Sequence, residues 1–298
     1  MSEIYDIQFM QDNIKGFDGS RVLVTGATGF FGSWMFRAIA PKCNLWVCGH
    51  DNLNDLLRLD FDYIFHFAPT PIEPVIECAK RSNAKILYAS SGGVYGGARV
   101  KVDEEYPTNS ITDYAHEKLR SENILLKSGL DYCIARLFTF SGKGMKNTFA
   151  ITAFVDAVKN NKPLVVMSQS VRTYMYIADA IIWLCKLMQS ENGVYNVGSE
   201  REIKINQLAM RVASYVIPPA DILKSDKPFI DNAPYYVPDC SKARDLGLEN
   251  NFTLEYAIRQ MLEYKTRCDS CEFFGDIDRT HCIECDREYE EKNEKRYK

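Results

Sequence analysis

The chain alternates short, continuously apolar runs with longer segments in which apolar residues recur every three or four positions. The short runs are RVLVT, NLWVCGH, FDYIFHFA, AKILYASS and DYCIARLF, and the longer segments include GSWMFRAIA, PIEPVIECAKRS and ITDYAHEKLRSENILLKSG. Unbroken apolar runs are typical of strands that are covered on both faces, whereas the longer spacing is typical of amphipathic helices. The alternation therefore predicts a parallel sheet with crossover helices.

This pattern changes twice along the chain, and the changes predict three regions. Residues 1–145 carry the regular alternation, residues 146–265 contain shorter strands and helices, and residues 266–298 are charged and cysteine-rich. We expect an α/β fold in which a doubly wound, Rossmann-type sheet (1–145) is interleaved with a smaller substrate-binding part (146–265). The last region is predicted to be a separate tail.

The charge balance narrows the classes of partner. The formal net charge is −4, so the chain has no overall basic field of the kind that attracts nucleic acid. Residues 1–17 lack the cationic and apolar regions of a signal peptide, and no apolar stretch is long enough to span a membrane. We therefore expect a soluble, cytoplasmic protein that binds neither nucleic acid nor membrane.

A glycine motif follows the first predicted strand. Gly26, Gly29 and Gly32 lie between that strand and a helix, where absent side chains let the backbone approach a pyrophosphate at the helix N-terminus. Asp51 follows the next strand, where a carboxylate can accept hydrogen bonds from ribose hydroxyls and repel a 2′-phosphate, which favours NAD over NADP. The alternatives are a tight turn without a ligand and an Asp51 that only caps the next helix.

A candidate catalytic group lies farther along the chain. Tyr114 and Lys118 are four residues apart on a predicted helix and share one face. A nearby lysine stabilises tyrosinate and can bring a phenol toward neutral working pH. Ser91, at a strand end, could hold the substrate oxygen whose proton moves. Taken alone, a Tyr-x-x-x-Lys pattern is common on helix surfaces.

With these motifs in this order, the sequence resembles the extended short-chain dehydrogenases/reductases, in particular the NAD-dependent nucleotide-sugar epimerase/dehydratase group. The resemblance covers residues 20–265 and is carried by VLVTGATGFFGSW, HDNL, YIFHFA, ILYASSGGVYG, DYAHEKLRSENIL, IARLF, VRTYMYIADA, VYNVGS and VPDCSKARDLGL. It implies that Tyr114 is the acid/base, that Lys118 binds the nicotinamide ribose, and that Ser91 contacts a sugar hydroxyl.

The resemblance also implies a set of contact residues. For NAD these are Gly26, Thr28, Gly29, Phe30, Phe31, Gly32, Asp51, Asn52, Phe67, Ala68, Ser90, Tyr114 and Lys118. For the nucleotide-sugar substrate they are Ser91, Gly92, Tyr114, Thr139 and Arg172, where Arg172 matches an arginine that commonly meets the phosphates. His66 ends a strand beneath the cofactor and is expected to be structural.

Gly92 and Gly93 decide between reactions of the group. The dehydratases typically carry Asp-Glu at these two positions, and decarboxylating relatives usually keep the Glu, whereas glycine moves no protons. We therefore expect an epimerase that transiently oxidises a sugar hydroxyl, with dehydration and decarboxylation disfavoured. The alternatives are a keto-sugar reductase or other NAD-dependent sugar-nucleotide enzyme, and a non-catalytic binding or scaffold protein.

The sequence also departs from the group's pattern. Little chain separates HDNL from YIFHFA, so the usual third strand has almost no room, and the chain is also short between HFAPT and ECAKR. We expect a sheet shortened in its first half and an altered helical face for a possible homodimer. Thr139 stands where an asparagine that binds substrate often lies.

Four of the ten cysteines lie in the tail, as two C-x-x-C pairs: Cys268 with Cys271 and Cys282 with Cys285. Two such pairs can complete a tetrahedral site of four thiolates, the preference of structural zinc. The charged tail cannot bury much apolar surface, so zinc would stabilise it. An iron–sulfur or redox site and an unligated tail are the alternatives, and the partner of the tail is unknown. The other cysteines are expected to be small buried hydrophobic residues.

Overall fold

The computed structural model describes residues 2–48, 53–146, 148–216, 218–224 and 235–262, and the statements below concern these ranges. Several predicted ligands lie outside them, and their roles stay predictions. These are Asp51, Asn52, Cys268, Cys271, Cys282 and Cys285.

The described residues form an α/β fold. The strands, numbered along the chain, are β1 Arg21–Thr25, β2 Asn44–Cys48, β3 Tyr63–His66, β4 Lys85–Ser91, β5 Tyr132–Leu137, β6 Phe140–Ser141, β7 Leu164–Val166, β8 Val171–Thr173, β9 Met175–Tyr176, β10 Gly193–Val197, β11 Glu202–Lys204, β12 Ile222–Lys224 and β13 Tyr235–Tyr236. The helices are α1 Ser2–Asn13, α2 Phe30–Ile39, α3 Leu53–Leu56, α4 Glu73–Ser82, α5 Asp113–Leu126, α6 Ala150–Lys159, α7 Ile177–Met188, α8 Ile205–Ala213, α9 Ser241–Arg244 and α10 Leu254–Leu262, and a 3₁₀ helix covers Gly92–Tyr95.

Six parallel strands form the main sheet, in the order β10-β5-β4-β3-β1-β2. The predicted Rossmann-type parallel sheet is confirmed. Apolar residues are buried along successive positions of β1, β3, β4 and β5, as expected for strands with helices on both faces. The chain runs from β1 to β2 on one side and returns to β3 on the other. A crevice for ligands is expected at the carboxyl ends of the strands beside that reversal.

The first half of the sheet is short, as predicted. Strand β2 lies at the edge, and between β2 and β3 the described chain contains only α3, a helix of 4 residues. Within the described ranges no strand pairs with the outer side of β2. The side of the sheet that would support the adenine end of a dinucleotide therefore ends at β2.

The region that follows β5 adds a strand to the main sheet and also forms a second apolar core. Strand β10 comes from the predicted substrate-binding part but pairs with β5 in the main sheet. Helices α6, α8 and α10 pack together around an apolar core that includes Phe154, Leu208 and Ile258. None of the helices in the described ranges has the length and apolar character needed to cross a bilayer. The boundaries at residues 145 and 265 stay predictions.

Helix α1 was not predicted from the sequence. Its residue Met10 is fully buried, and the carboxylate of Asp6 accepts hydrogen bonds from the hydroxyls of Tyr176 (2.6 Å) and Tyr256 (2.5 Å). Burial raises the pKa of Asp6 to about 6, although both tyrosine hydrogen bonds oppose that shift. A buried carboxylate thus joins the apolar side of helix α1 in holding it to the body of the protein.

Candidate active site

The glycine loop between β1 and α2 is shaped by close backbone contacts. Gly26 has a φ of 69°, and a Cβ there would lie 2.9 Å from the backbone nitrogen of Ala68. A Cβ at Gly32 would lie 2.2 Å from the carbonyl oxygen of Gly26. Gly29 precedes α2, and none of the described side chains caps that helix there. The first N–H groups of α2 are therefore available to an anion such as a pyrophosphate, which fits the predicted dinucleotide.

A cavity of about 910 Å³ opens at the carboxyl ends of β1, β3, β4 and β5. Most of the predicted contact residues line it: Gly26, Thr28, Gly29, Phe30, Phe31, Gly32, Phe67, Ser90, Ser91, Tyr114, Lys118, Thr139 and Arg172. Ala68 and Gly92 do not belong to the lining. Ala68 supports Gly26 from behind, and Gly92 packs against Tyr236 and Phe138. The structure thus brings most of the described residues of the cofactor and substrate sets to one cavity.

Helix α5 and strand β4 position the candidate catalytic group. Thr112 caps α5 by accepting a hydrogen bond from the backbone N–H of Ala115 (3.2 Å). Tyr114 in the first turn is 60 % exposed, whereas Lys118, one turn later, is only 7 % exposed. The Nζ atom of Lys118 donates to the carbonyl oxygen of Ala89 (2.6 Å) and lies 5.7 Å from the centre of the Tyr114 ring.

Burial shifts the pKa values of both ionisable side chains of this group. The walls of the cavity desolvate the Tyr114 phenol and raise its pKa, and the group that lowers it is the hydroxyl of Ser91. Burial lowers the pKa of Lys118 to about 8. The ammonium of Lys118 is turned toward the carbonyl oxygen of Ala89, and the hydroxyl of Ser91 opposes only part of the rise in the Tyr114 pKa.

A buried ion pair lies behind the catalytic group. The guanidinium of Arg136 on β5 donates to the carboxylate of Glu122 on α5 (2.9 Å), and both side chains are nearly inaccessible to solvent. Glu122 also accepts a hydrogen bond from Ser90, next to Ser91 on β4. Its negative charge opposes the lowering of the Lys118 pKa. This network ties the ends of β4 and β5 to α5.

The substrate side of the cavity combines cations and aromatic rings. Lys118, Lys146 and Arg172 line it, and no aspartate or glutamate of the described ranges does. The guanidinium of Arg172 lies 5.4 Å from the centre of the Tyr236 ring, which packs on Phe138 at 4.8 Å. A cavity with this charge is suited to an anionic ligand such as a nucleoside diphosphate sugar.

His66 occupies the position expected of a structural residue. Its ring is fully buried, and its nitrogens bond the hydroxyl of Thr25 (2.8 Å) and the carbonyl oxygen of Thr70 (3.3 Å). Burial lowers its pKa to about 4, so the imidazole is neutral at pH 7. His66 thus holds the ends of β1 and β3 together, and it is not among the residues that line the cavity.

The residues that build this cavity also match known proteins. The model of the NAD dependent epimerase/dehydratase family matches residues 72–198. This segment is similar to proteins of that family. It contains β4, the 3₁₀ helix, α5, β5 and β10, and so it includes Ser91, Tyr114, Lys118 and Arg172.

Relatives and solved structures extend the similarity over most of the chain. UDP-glucuronic acid decarboxylase 6 of Arabidopsis thaliana is 25% identical, and the alignment covers 88% of this chain and 92% of that protein. The structure of UDP-glucose 4-epimerase with UDP-glucose from Thermotoga maritima superposes with a TM-score of 0.72 at 21% identity, covering 82% of this chain and 97% of that one. An epimerase from Methanothermobacter thermautotrophicus reaches 0.76 at 20% identity, with 86% and 95% covered. These structures share the fold, and the proteins similar to this chain include both epimerases and decarboxylases.

Three residues of the site were missed in the sequence. Glu122 follows Lys118 by one helical turn, so its position on the same face of α5 was a usable signal. Arg136 on the buried strand β5 was a second usable signal, because a buried cation needs a partner of opposite charge. Tyr236 gave no such signal, since its place beside Gly92 depends on the packing of distant segments.

The described cysteines agree with their predicted structural role. Five of the six are buried and all six are unpaired: Cys43, Cys48, Cys78, Cys133, Cys185 and Cys240. Among the described residues no group of His, Cys, Asp and Glu has the arrangement of a metal site. The predicted zinc ligands of the tail lie beyond residue 262, where this finding does not apply.

Proposed function

We propose that this protein is an NAD-dependent nucleotide-sugar epimerase that acts by transient oxidation of a sugar hydroxyl. The observation that carries the proposal is the meeting of Ser91, Tyr114 and Lys118 in the cavity that the glycine loop also lines. Elimination and decarboxylation are disfavoured because no carboxylate of the described residues faces this cavity. The family match supports the reaction class, since epimerases of the group share this fold.

Ser91, Tyr114 and Lys118 have different parts in the proposed reaction. When NAD is bound it supplies the acceptor and later the donor of the hydride. Tyr114 takes the hydroxyl proton of the sugar during oxidation and returns it during reduction, and Ser91 holds the same oxygen by a hydrogen bond. Lys118 keeps a positive charge beside the phenol and binds the nicotinamide ribose. Between the two half-reactions the keto-sugar turns, so that the other face is reduced.

The charge of the cavity supports a nucleotide-sugar substrate. Arg172 and Lys146 line its substrate side and are suited to the two phosphates. The glycine loop and the N-terminus of α2 are suited to the pyrophosphate of NAD.

A panel of nucleotide sugars, including UDP-glucuronic acid, tests the proposal. We expect an epimer to form in the presence of NAD, with more than one turnover per NAD and no net change in the absorbance of the reduced cofactor. In heavy water the altered carbon should keep its own hydrogen, because the hydride returns from the cofactor. Release of carbon dioxide or water from a substrate would overturn the epimerase proposal, and the absence of any turnover would favour a non-catalytic binding protein.

A nucleotide-linked keto-sugar reductase is the second candidate. It is favoured by the edge position of β2, because a shortened adenine side would let the cofactor exchange between turnovers. Stoichiometric oxidation of the reduced cofactor by a keto-sugar would distinguish it from the epimerase.

For the tail we propose structural zinc bound by Cys268, Cys271, Cys282 and Cys285, supported by the spacing of the two pairs. Four thiolates leave no open position for water, so this zinc would take no part in the chemistry.

A further inference from the structure

Ser91 has two phenol neighbours in the cavity. One is Tyr114 on α5, and the other is Tyr236 on β13, which comes from the opposite end of the chain. Burial raises the pKa of both phenols, and the hydroxyl of Ser91 opposes that rise. The serine thus lies between two hydroxyl groups, of which only Tyr114 has a part in the reaction proposed above.

The position of Tyr236 is linked to the absence of a side chain at residue 92. A Cβ on Gly92 would lie 2.7 Å from the hydroxyl oxygen of Tyr236 and 2.9 Å from the ring of Phe138. Such distances are too short for a real Cβ, so a side chain at residue 92 and this placement of Tyr236 exclude each other. Gly92 therefore does more than replace the acid that dehydratases carry at this position, because its missing side chain makes room for the phenol of Tyr236.

Contacts on several sides hold the Tyr236 ring. It packs on Phe138 at 4.8 Å, and the guanidinium of Arg172 lies 5.4 Å from its centre. The hydroxyl reaches the carbonyl oxygen of Leu137 only at 3.5 Å, a long hydrogen bond that can be exchanged for a better one. Burial raises the pKa of Tyr236 to about 12, so the hydroxyl keeps its proton near neutral pH and can act as a donor.

We propose that Tyr236 is a positioning residue: its hydroxyl donates a hydrogen bond to Oγ of Ser91 and thereby turns the Ser91 proton toward Tyr114 and the sugar oxygen. This inference rests on the proposed function. Oγ of Ser91 also accepts a hydrogen bond from the backbone N–H of Gly93 (3.1 Å). With both acceptor positions filled, the Ser91 hydroxyl can still donate its own proton. Donation along such a chain strengthens each bond and favours the tyrosinate form of Tyr114.

Tyr236→Phe tests the role of the hydroxyl, because it keeps the ring that packs on Phe138 and Arg172. On the substrate found in the panel we expect kcat to fall roughly three- to tenfold, with KM changed less than about twofold. The acidic limb of the pH–kcat profile should move up by roughly half a pH unit, since Tyr114 loses support for its charged form. A merely structural residue would not move that limb.

Two further variants make the test specific. Tyr235→Phe removes the neighbouring hydroxyl, which bonds Glu202, and should leave both kcat and the pH profile unchanged. In a Ser91→Ala background, Tyr236→Phe should have no further effect on kcat, because Tyr236 acts through Ser91. Unchanged kinetics in Tyr236→Phe, or an effect that persists fully without Ser91, would overturn this inference alone. Absence of turnover in the unmodified protein would overturn the proposed function with it.

Discussion

The ammonium of Lys118 lies one helical turn from Tyr114, 5.7 Å from the centre of its ring, and is fixed there by a 2.6 Å hydrogen bond to the carbonyl oxygen of Ala89. The bond joins helix α5 to strand β4, so the cation and the phenol keep their relative position. Two predictions concern this pair directly.

Tyr114→Phe should reduce turnover by roughly 10²- to 10⁴-fold, the usual effect of removing a general acid/base. Stability should change little, because Tyr114 is 60 % exposed. Steady-state rates and thermal unfolding check both statements. Tyr106→Phe, whose ring lies outside the cavity lining, is the control and should keep full activity. Normal turnover in Tyr114→Phe would remove this residue from the mechanism.

Lys118→Met should abolish most activity and yet stabilise the protein near neutral pH. Burial lowers the pKa of Lys118 from 10.5 to about 8, so between these pH values the unfolded chain binds more protons than the native one. The stability of the unmodified protein therefore rises as the pH rises from 8 to 10.5, and the burial penalty is complete below 8. We expect a gain of roughly 2 kcal/mol in unfolding free energy at pH 7, after allowing for the lost hydrogen bond to Ala89.

Urea denaturation at a series of pH values measures this effect. The difference between Lys118→Met and the unmodified protein should shrink as the pH rises toward 10.5. Lys127→Met changes an exposed lysine just after the same helix and should show no such trend. A difference that stays constant across the range would contradict the proposed cause.

Gly92→Ala and Gly93→Ala are a matched pair that differ in where the added methyl group points. At Gly92 it would meet Tyr236 and Phe138, so we expect a loss of about 1–3 kcal/mol in unfolding free energy. At Gly93 the nearest atom is Oγ of Ser91 at 3.2 Å, a side chain that can give way, so the loss should stay below about 1 kcal/mol. Equal losses in the two variants would contradict the close packing at Gly92.

Much of the fold could be predicted because its signals are local. The apolar runs locate β1 and β4 to within one residue, and the helical spacing locates α5, since each element is buried along a regular pattern. Strand β10 lies in the region that was predicted to be the substrate-binding part. Local sequence could not show that this strand, β10, pairs with β5 in the main sheet.

The parts that could not be predicted depend on distant contacts. Helix α1 has a mixed sequence without a clear apolar stripe, and its packing depends on tyrosines far along the chain. The candidate site likewise contains residues with local sequence signals and residues placed by distant contacts. Tyr114 and Lys118 share a helix and were found, whereas Tyr236 is placed by the space over Gly92 and was not.

Asp51→Ala should narrow a preference for NAD over NADP by about tenfold, because a carboxylate near the 2′-phosphate repels it. Dissociation constants for both cofactors, measured for variant and unmodified protein, check this. Asp55→Ala removes an exposed carboxylate in α3 a few residues later and should leave the preference intact. Equal affinity of the unmodified protein for the two cofactors would contradict the role given to Asp51.

Protein purified without added metal should contain one zinc per chain, with Zn–S distances of about 2.3 Å by X-ray absorption. Cys268→Ser should lose the zinc and keep its affinity for NAD, because the tail is predicted to be separate from the part that carries the glycine loop. Cys43→Ser, which changes a cysteine outside the tail, should keep the zinc. Elemental analysis that finds no zinc would contradict this assignment. So would the presence of iron together with visible absorbance.

The attachment of helix α1 has a consequence for synthesis of the chain. Asp6 bonds partners 170 and 250 residues later, so during synthesis helix α1 emerges long before the segments that complete its site. Until Tyr256 has emerged, Met10 and the other apolar residues of α1 have no complete site to cover them. We therefore expect nascent chains of this protein to bind chaperones through helix α1 until Tyr256 has emerged.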